Sequence, residues 1–473
     1  MANDTDKPDD HRLWRAITAR AGEDVGEFAP GADARPADFS RRDFVKRMGA
    51  SMALAGLAAC ERAPKEKIVP YVVHPPEVTP GNASFYATAW SLDGYATGLL
   101  VESHEGRPTK VEGNPDHPAS LGATGIMEQA LILELYDRSR ARAIRKGQGA
   151  GTWPGFQETF GGVTNAGRGL HFLLEPTSSP LIANQISRIR ARLPQAKFHF
   201  YTPLSRQAAW DGARIALGRP LETQIDLRAA DVILSLDADF LACGPSQLRL
   251  GREFADRRRV RSAADSMNRL YVAEAQASVT GGMADHRAPI PNHEISRSAA
   301  RLMVALGDPH AFPELGGVLG GWRNTLGPAS PFFQAVTRDL LAHRGTSVVL
   351  VGDQQPAAVH AIGHALNQAL GNVGRTVVYT ESPIFEAGAE SHDLLALVKA
   401  IDAGEVETLV ILEGNPVYTA PVDIELARRV RSVHETIYLG LFENETASAS
   451  SWFLPAAHVL ESWGDARAQD GTA

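Results

Sequence analysis

Cysteine is almost absent from this 473-residue chain: Cys60 and Cys243 are the only two. One pair cannot make the dense disulfide framework of a small secreted scaffold. Nor can it supply the four thiolates that an iron–sulfur cluster usually takes, or the clustered Cys/His set of a structural zinc site. Long apolar runs are missing too. The longest, Met48 to Ala59, falls short of the roughly 20 residues that span a bilayer. Positive charge is not in excess. The net charge is −8, which argues against non-specific binding to nucleic acid through a basic surface. No stretch reads G-x-G-x-x-G or as a phosphate-binding P-loop, and no internal repeat is visible.

What is present is ordinary globular material, 44% hydrophobic and 22% charged, in a length that suits two or three domains with full cores. Near the start, Ser40-Arg41-Arg42-Asp43-Phe44-Val45-Lys46 fits the twin-arginine export pattern, with Arg41, Arg42, Phe44 and Lys46 as its signal residues. The small and apolar residues that follow are the signal's h-region. Leu57-Ala58-Ala59-Cys60 resembles a lipobox, which makes Cys60 the candidate for lipidation. The expectation is export by the Tat route to the periplasmic face of the cytoplasmic membrane, with anchoring through lipid at Cys60. About forty residues precede Arg41, and His11 to Arg20 can form a short amphipathic helix.

From Ala63 to Gly81 the Pro-rich chain reads as an extended linker. Ser84 to Gly113 then shows β patterns around a turn at Glu105-Gly106. Ile126 to Arg142 has helical spacing, with Met127, Leu131 and Leu135 on one face. Past Gly169, apolar β-branched runs such as "ADVILSLDAD", "TSVVLVGD" and "ETLVILEGN" alternate with helical stretches. Such strands imply parallel sheets covered by helices on both faces. The expected fold is therefore α/β: a small β-rich N-terminal region, then two doubly wound Rossmann-like lobes. The expected divisions are 1–59 as the signal, 60–125 as linker and β-rich region, 126–200 plus 345–473 as the first lobe, and 201–344 as a second, inserted lobe.

Several residues look like sites. His360 and His364 stand i, i+4 on a helix, as zinc ligands do. They lack the glutamate and a third ligand, which favours ordinary helix histidines. Asp285-His286-Arg287 could relay charge to a nucleophile such as Ser278, but a loop that fixes the packing of one lobe is favoured. Asp237 and Asp239, at a strand end, could bind metal; a helix cap is favoured. Arg257-Arg258-Arg259 reads as a solvated face.

Gly113-Asn114-Pro115-Asp116-His117-Pro118 and Leu135-Tyr136-Asp137 followed by Arg140 resemble the molybdopterin oxidoreductase superfamily. So do "ADVILSLDADF", Gly371 to Arg375 ("GNVGR"), Leu412 to Pro416 ("LEGNP") and "SWFLPAAHVLESWGD", in the same order. The resemblance implies the superfamily's fold from about Ser84 to the C-terminus. In catalytic members a C-x2-C-x3-C run and a fourth cysteine hold a [4Fe–4S] cluster. Here the corresponding positions carry Trp90, Asp93, Thr97 and Ala123. None can ligate iron in that way, so no cluster is expected. Ser205 lies roughly where a molybdenum ligand would, but a Ser after a Pro in a loop reads as a turn or cap residue. A C-terminal domain that closes over the pterin has no counterpart before Ala473.

One subgroup shares these losses, the B subunit of bacterial alternative complex III. Met267 to Ile295 resembles it closely, with a TG-x-MADHR-x-P core, and so does the extended Tat leader. The resemblance implies a non-catalytic, cofactor-less subunit of a respiratory quinol-oxidising complex. Its implied partners are membrane quinol-oxidising subunits, cytochrome c subunits and a ferredoxin-like iron–sulfur domain. The clusters would sit in a missing C-terminal half or a partner chain. Two other readings stay open: an active molybdopterin-dependent oxidoreductase, and an exported lipoprotein that binds a small ligand.

Overall fold

The computed structural model describes Thr79 and residues 81–161, 165–306, 329–388 and 394–473. The export residues Arg41, Arg42, Phe44 and Lys46, the lipidation candidate Cys60 and the expected helix His11–Arg20 lie outside the described residues.

β1 (Ser84–Leu92), β2 (Tyr95–His104) and β3 (Arg107–Gly113) form an antiparallel meander. Asp93-Gly94 and Glu105-Gly106 make its two turns, and all four residues have positive φ. Such turns twist in the sense of the strands they join, and the second is the one the sequence pattern predicts. Leu99, Val101 and Val111 on one face of the sheet pack against Leu131 of the helix Ile126–Leu135. That helix is shorter than its spacing predicts. It ends at Leu135, and Asp137 holds the turn beyond by accepting the Ser139 N–H at 2.8 Å. Leu131 and Leu135 are buried as expected, but Met127 is 55% exposed.

β4 (Arg145–Lys146), β5 (Gly149–Ala150), β6 (Leu170–Leu174) and β7 (Lys197–Phe200) begin the first lobe. The chain then leaves it. β9 (Val232–Leu236), β10 (Arg269–Glu274), β11 (His286–Pro289) and β12 (Ser347–Val351) make a four-stranded parallel sheet in the order β11-β10-β9-β12. β8 (Leu221–Ile225) and β13 (Val377–Glu381) pair antiparallel as a separate ribbon. β14 (Thr408–Leu412), β15 (Glu435–Gly440) and β16 (Trp452–Pro455) return to the first sheet, whose order is β5-β4-β16-β15-β14-β6-β7. Its five long strands are parallel, and β4 and β5 form an antiparallel edge.

Every residue of β6 and β9 is buried, because helices cover both faces of each sheet. Helices Asn292–Leu306, Pro331–Ala342 and Ala357–Ala369 pack on one face of the second sheet, and Gln247–Arg257 on the other. Helices Leu394–Asp402 and Leu426–Ser432 cover one face of the first, and Pro180–Arg192 the other. The α/β class, with a β-rich N-terminal region and two doubly wound lobes, is what the structure shows.

The boundary expected at residue 345 is corrected. β12 pairs with β9 along its whole length and β13 pairs with β8, so the chain rejoins the first sheet only at β14. "SVVLV" suits the centre of either sheet, and no local feature says which. In the Arg257–Arg259 run Arg259 is exposed, as expected of a solvated face, but Arg257 and Arg258 are half-buried and paired. Arg258 lies over the Phe254 ring and pairs with Asp285 and Asn268, while Arg257 pairs with Asp231 and Arg259 with Asp256.

Burial pushes His171 and His360 down to about 4 and His364 to about 3. Each is neutral in the fold and titrates near 6.5 when unfolded. As the pH falls from 6.5 towards 4, the unfolded chain takes up protons that the fold refuses, and stability drops. Each histidine adds up to about 1.4 kcal/mol per pH unit in that window. The urea midpoint should therefore fall steeply between pH 6.5 and 4.5, and His364→Gln should flatten that slope. Parallel wild-type and variant profiles would contradict this assignment.

Candidate functional site

In parallel sheets the carboxyl ends of the strands open onto a crevice, where ligands of such folds sit. Glu175 follows β6, Thr202 follows β7, and Glu413-Gly414-Asn415 follow β14. From the second sheet come Asp237 and Asp239 after β9, Glu274 at the end of β10, and Asp353 to Gln355 after β12. The tip of the β1–β2 hairpin is wedged among these ends. Gly94 sits so tightly that a Cβ would lie 2.7 Å from the Pro176 carbonyl oxygen. Asp93 beside it accepts the Thr202 hydroxyl at 2.5 Å.

Arg206, on the loop after β7, carries the crevice across to the second lobe. It donates to Glu222 at 3.0 Å and to Asp353 at 3.3 Å. Glu222 is 1% exposed and is the most heavily bonded side chain here. Its Oε1 accepts the Tyr95 hydroxyl at 2.5 Å, the Trp210 indole N–H at 2.8 Å and the Ser382 hydroxyl at 3.0 Å. Its Oε2 accepts Arg206 and the Gln469 amide, both at 3.0 Å. Burial alone would raise this carboxyl, but Arg206 and the donors overcome burial and hold Glu222 below the usual range. The same pairing overcomes the burial of Arg206 and keeps it charged. Burial, with the adjacent carboxylate, holds the Tyr95 hydroxyl protonated.

The segment Asp465–Gln469 runs over this junction. The Arg467 carbonyl accepts Ala96 N–H and the Ser178 hydroxyl, each at 2.9 Å. The Asp465 carboxylate accepts Leu181 N–H, at the start of helix Pro180–Arg192, at 3.1 Å. It also pairs with Ser179. An anion is favoured at a helix N-terminus, and here the chain supplies its own.

The remaining ends are acidic. Glu175 and Glu413 face solvent in the crevice. Crowding by the surrounding chain, then the neighbouring Glu413 and Asp93, pushes Glu175 up to about 7. Asp237, with φ of 58°, is bonded through its carboxylate to Gln354 and Gln355, each at 2.8 Å. Asp239 accepts the Thr280 N–H at 2.8 Å and its hydroxyl at 2.7 Å. It therefore caps, as favoured from the sequence, but caps the short helix Val279–Gly282 and not its own.

The other candidates fall elsewhere. Trp90 and Thr97 are cross-strand partners in β1 and β2, and the partly buried Trp90 indole packs against the core beneath the meander. Ala123 follows the turn that closes over Gly113. Ser205 Oγ accepts the Gln207 N–H at 3.1 Å, as a cap does. Ser278 donates to Glu274, which also pairs with Arg287, whereas Asp285 pairs with Arg258. His286 stacks on Tyr271, so no relay to Ser278 forms. His360 and His364 are buried, and His364 meets the Tyr379 hydroxyl at 3.1 Å. Among the described residues, no group of three or more His, Cys, Asp or Glu is placed to hold a metal ion. No helix among them is long and apolar enough to cross a membrane.

No family model matches the sequence. The chain is similar to the "Menaquinone reductase, molybdopterin-binding-like subunit" of Nitratidesulfovibrio vulgaris, with 23% identity over 420 residues. The match covers 80% of this chain but 59% of that protein, so the chain spans about three fifths of its relative's length. Among solved structures it is similar to acetylene hydratase from Pelobacter acetylenicus, with a TM-score of 0.58 and 12% identity. That match covers 80% of this chain and 65% of the other. The fold is of the molybdopterin oxidoreductase type.

The residues of the crevice fit poorly to what such folds hold. A pterin dinucleotide carries pyrophosphate, which needs donors and cations. The strand ends here present Glu175, Glu413, Asp237 and Asp353, and Arg206 is already neutralised by Glu222 and Asp353. A four-iron cluster needs thiolates, and Trp90, Asp93, Thr97 and Ala123 offer none.

Removing the Glu222 charge should leave Arg206 underpaired in a buried site. Glu222→Gln should cost about 3 kcal/mol in chemical denaturation. Arg219→Ala, which breaks an exposed pair with Glu381, should cost under about 1 kcal/mol. Equal costs would show that Glu222 is not the junction's anchor.

Proposed function

We propose that this chain is a non-catalytic, cofactor-less subunit, or part of one, of a respiratory quinol-oxidising complex. In this reading it corresponds to the molybdopterin-enzyme-like part of the B subunit of alternative complex III. The observation that carries the reading is the replacement of all four expected cluster ligands by Trp90, Asp93, Thr97 and Ala123, with the partly buried Trp90 indole packed against the core of the meander. The acidic strand ends and the self-bonded Arg206 support it. The relative's name supports a place in menaquinone-linked electron transfer. The chain would fold before export by the Tat route, stay at the periplasmic membrane face through lipid at Cys60, and offer a packing surface to its partners. Those partners would be quinol-oxidising membrane subunits, cytochrome c subunits and a ferredoxin-like iron–sulfur polypeptide. Electrons would pass through the partners' centres.

Elemental analysis and absorption spectroscopy of the purified chain test the cofactor claim. Iron and molybdenum should each fall far below one atom per chain. When a cysteine-rich ferredoxin-like partner is co-expressed, iron should appear only in the co-purified assembly. Stoichiometric iron or molybdenum in this chain alone would overturn the reading.

A further inference from the structure

The meander β1-β2-β3 has two open edges, and they are built differently. β3 reads Arg107-Pro108-Thr109-Lys110-Val111-Glu112-Gly113, with three charges and a proline. These are the devices by which proteins keep a sheet edge from pairing with another chain. β1 reads Ser84-Phe85-Tyr86-Ala87-Thr88-Ala89-Trp90-Ser91-Leu92 and carries none of them. It is nine residues long, with Phe85 55%, Tyr86 56% and Leu92 47% exposed. Among the described residues, β1 pairs only with β2. A long, uncharged, aromatic edge is a template for another strand.

The order of residues in β1 says which strand fits. Read from either end about Thr88, Ser84 matches Leu92, Phe85 matches Ser91, Tyr86 matches Trp90 and Ala87 matches Ala89. A second β1, antiparallel and centred on Thr88, would set each Tyr86 against the other's Trp90 and each Ala87 against Ala89. Aromatic and small pairs of this kind stabilise a sheet, and no like charges oppose. The backbone has matching parity. Leu92 and Tyr95 close the two-residue turn, so Leu92, Trp90, Thr88 and Tyr86 bond inward to β2. Phe85, Ala87, Ala89 and Ser91 are left facing outward. In the register centred on Thr88, each outward-facing residue meets another outward-facing residue, so the ladder closes without a bulge. A two-fold axis through Thr88 generates this contact as a closed, isologous pair.

We propose that β1 is a docking edge whose occupant is a second copy of this chain, joined antiparallel about Thr88 into a continuous six-stranded sheet. The inference stands apart from the cofactor reading, since it uses only the meander. It is tested on the full chain with Cys60→Ser and Cys243→Ser, so that no other thiol is present. Sedimentation should show dimers at roughly 50 µM that dissociate on dilution. Tyr86→Lys, at an exposed position, should weaken the dimer at least tenfold. Under mild oxidation Thr88→Cys should form a disulfide-linked dimer as the main product, because Thr88 faces itself across the axis. Ser84→Cys, far from its own copy in this register, should not. A monomer at that concentration, equal cross-linking of Thr88→Cys and Ser84→Cys, or capture of a different polypeptide by Thr88→Cys would each overturn the proposal. If Tyr86→Lys fails to fold, the cross-linking pair alone decides.

Discussion

One buried carboxylate holds the junction together. Glu222 takes Tyr95 from the N-terminal meander, Arg206 from the loop after β7, Trp210 from the helix Gln207–Leu217, Ser382 from the link after β13, and Gln469 from the last segment. Arg206 and Trp210 are neighbours at the start of one helix, and the other three partners come from three further, well-separated stretches of the chain. Withdrawing a carboxylate from water is costly unless every lone pair finds a donor. Here each oxygen has at least two. The meander, the two lobes and the segment Asp465–Gln469 are thereby fixed around one point at the strand ends.

That arrangement changes what the crevice can do. In a doubly wound fold the strand ends and helix N-termini are the natural place for a phosphate-bearing ligand. In this chain the start of helix Pro180–Arg192 holds Asp465, and Arg206 is committed to Glu222 and Asp353. Asp237 bridges to Gln354 and Gln355. The groups that could meet a ligand instead tie the lobes to one another.

The class of fold was legible because its signals are local. Runs such as "ADVILSLDAD" and "ETLVILEGN" are too apolar and β-branched for anything but central strands, and Glu105-Gly106 marks its own turn. Of the candidate site only local capping roles were legible, as at Ser205, whose hydroxyl accepts the Gln207 N–H. The Glu222 junction could not be read. In sequence Glu222 is one polar residue in "LETQI", and its partners Tyr95 and Gln469 lie 127 and 247 positions away. The lobe boundary failed for the same reason: "SVVLV" specifies a buried strand but not which sheet receives it. Arg258 misled because a run of three arginines looks solvated until Phe254, Asn268 and Asp285 are brought beneath it.

We propose that the crevice serves the chain's own junction and not a pterin dinucleotide. Calorimetric titration of the purified chain with a molybdopterin guanine dinucleotide tests this most directly. Saturable binding should be absent up to about 1 mM, corresponding to less than roughly 4 kcal/mol of affinity. Stoichiometric binding with micromolar or tighter affinity would contradict it and restore a cofactor-bearing enzyme.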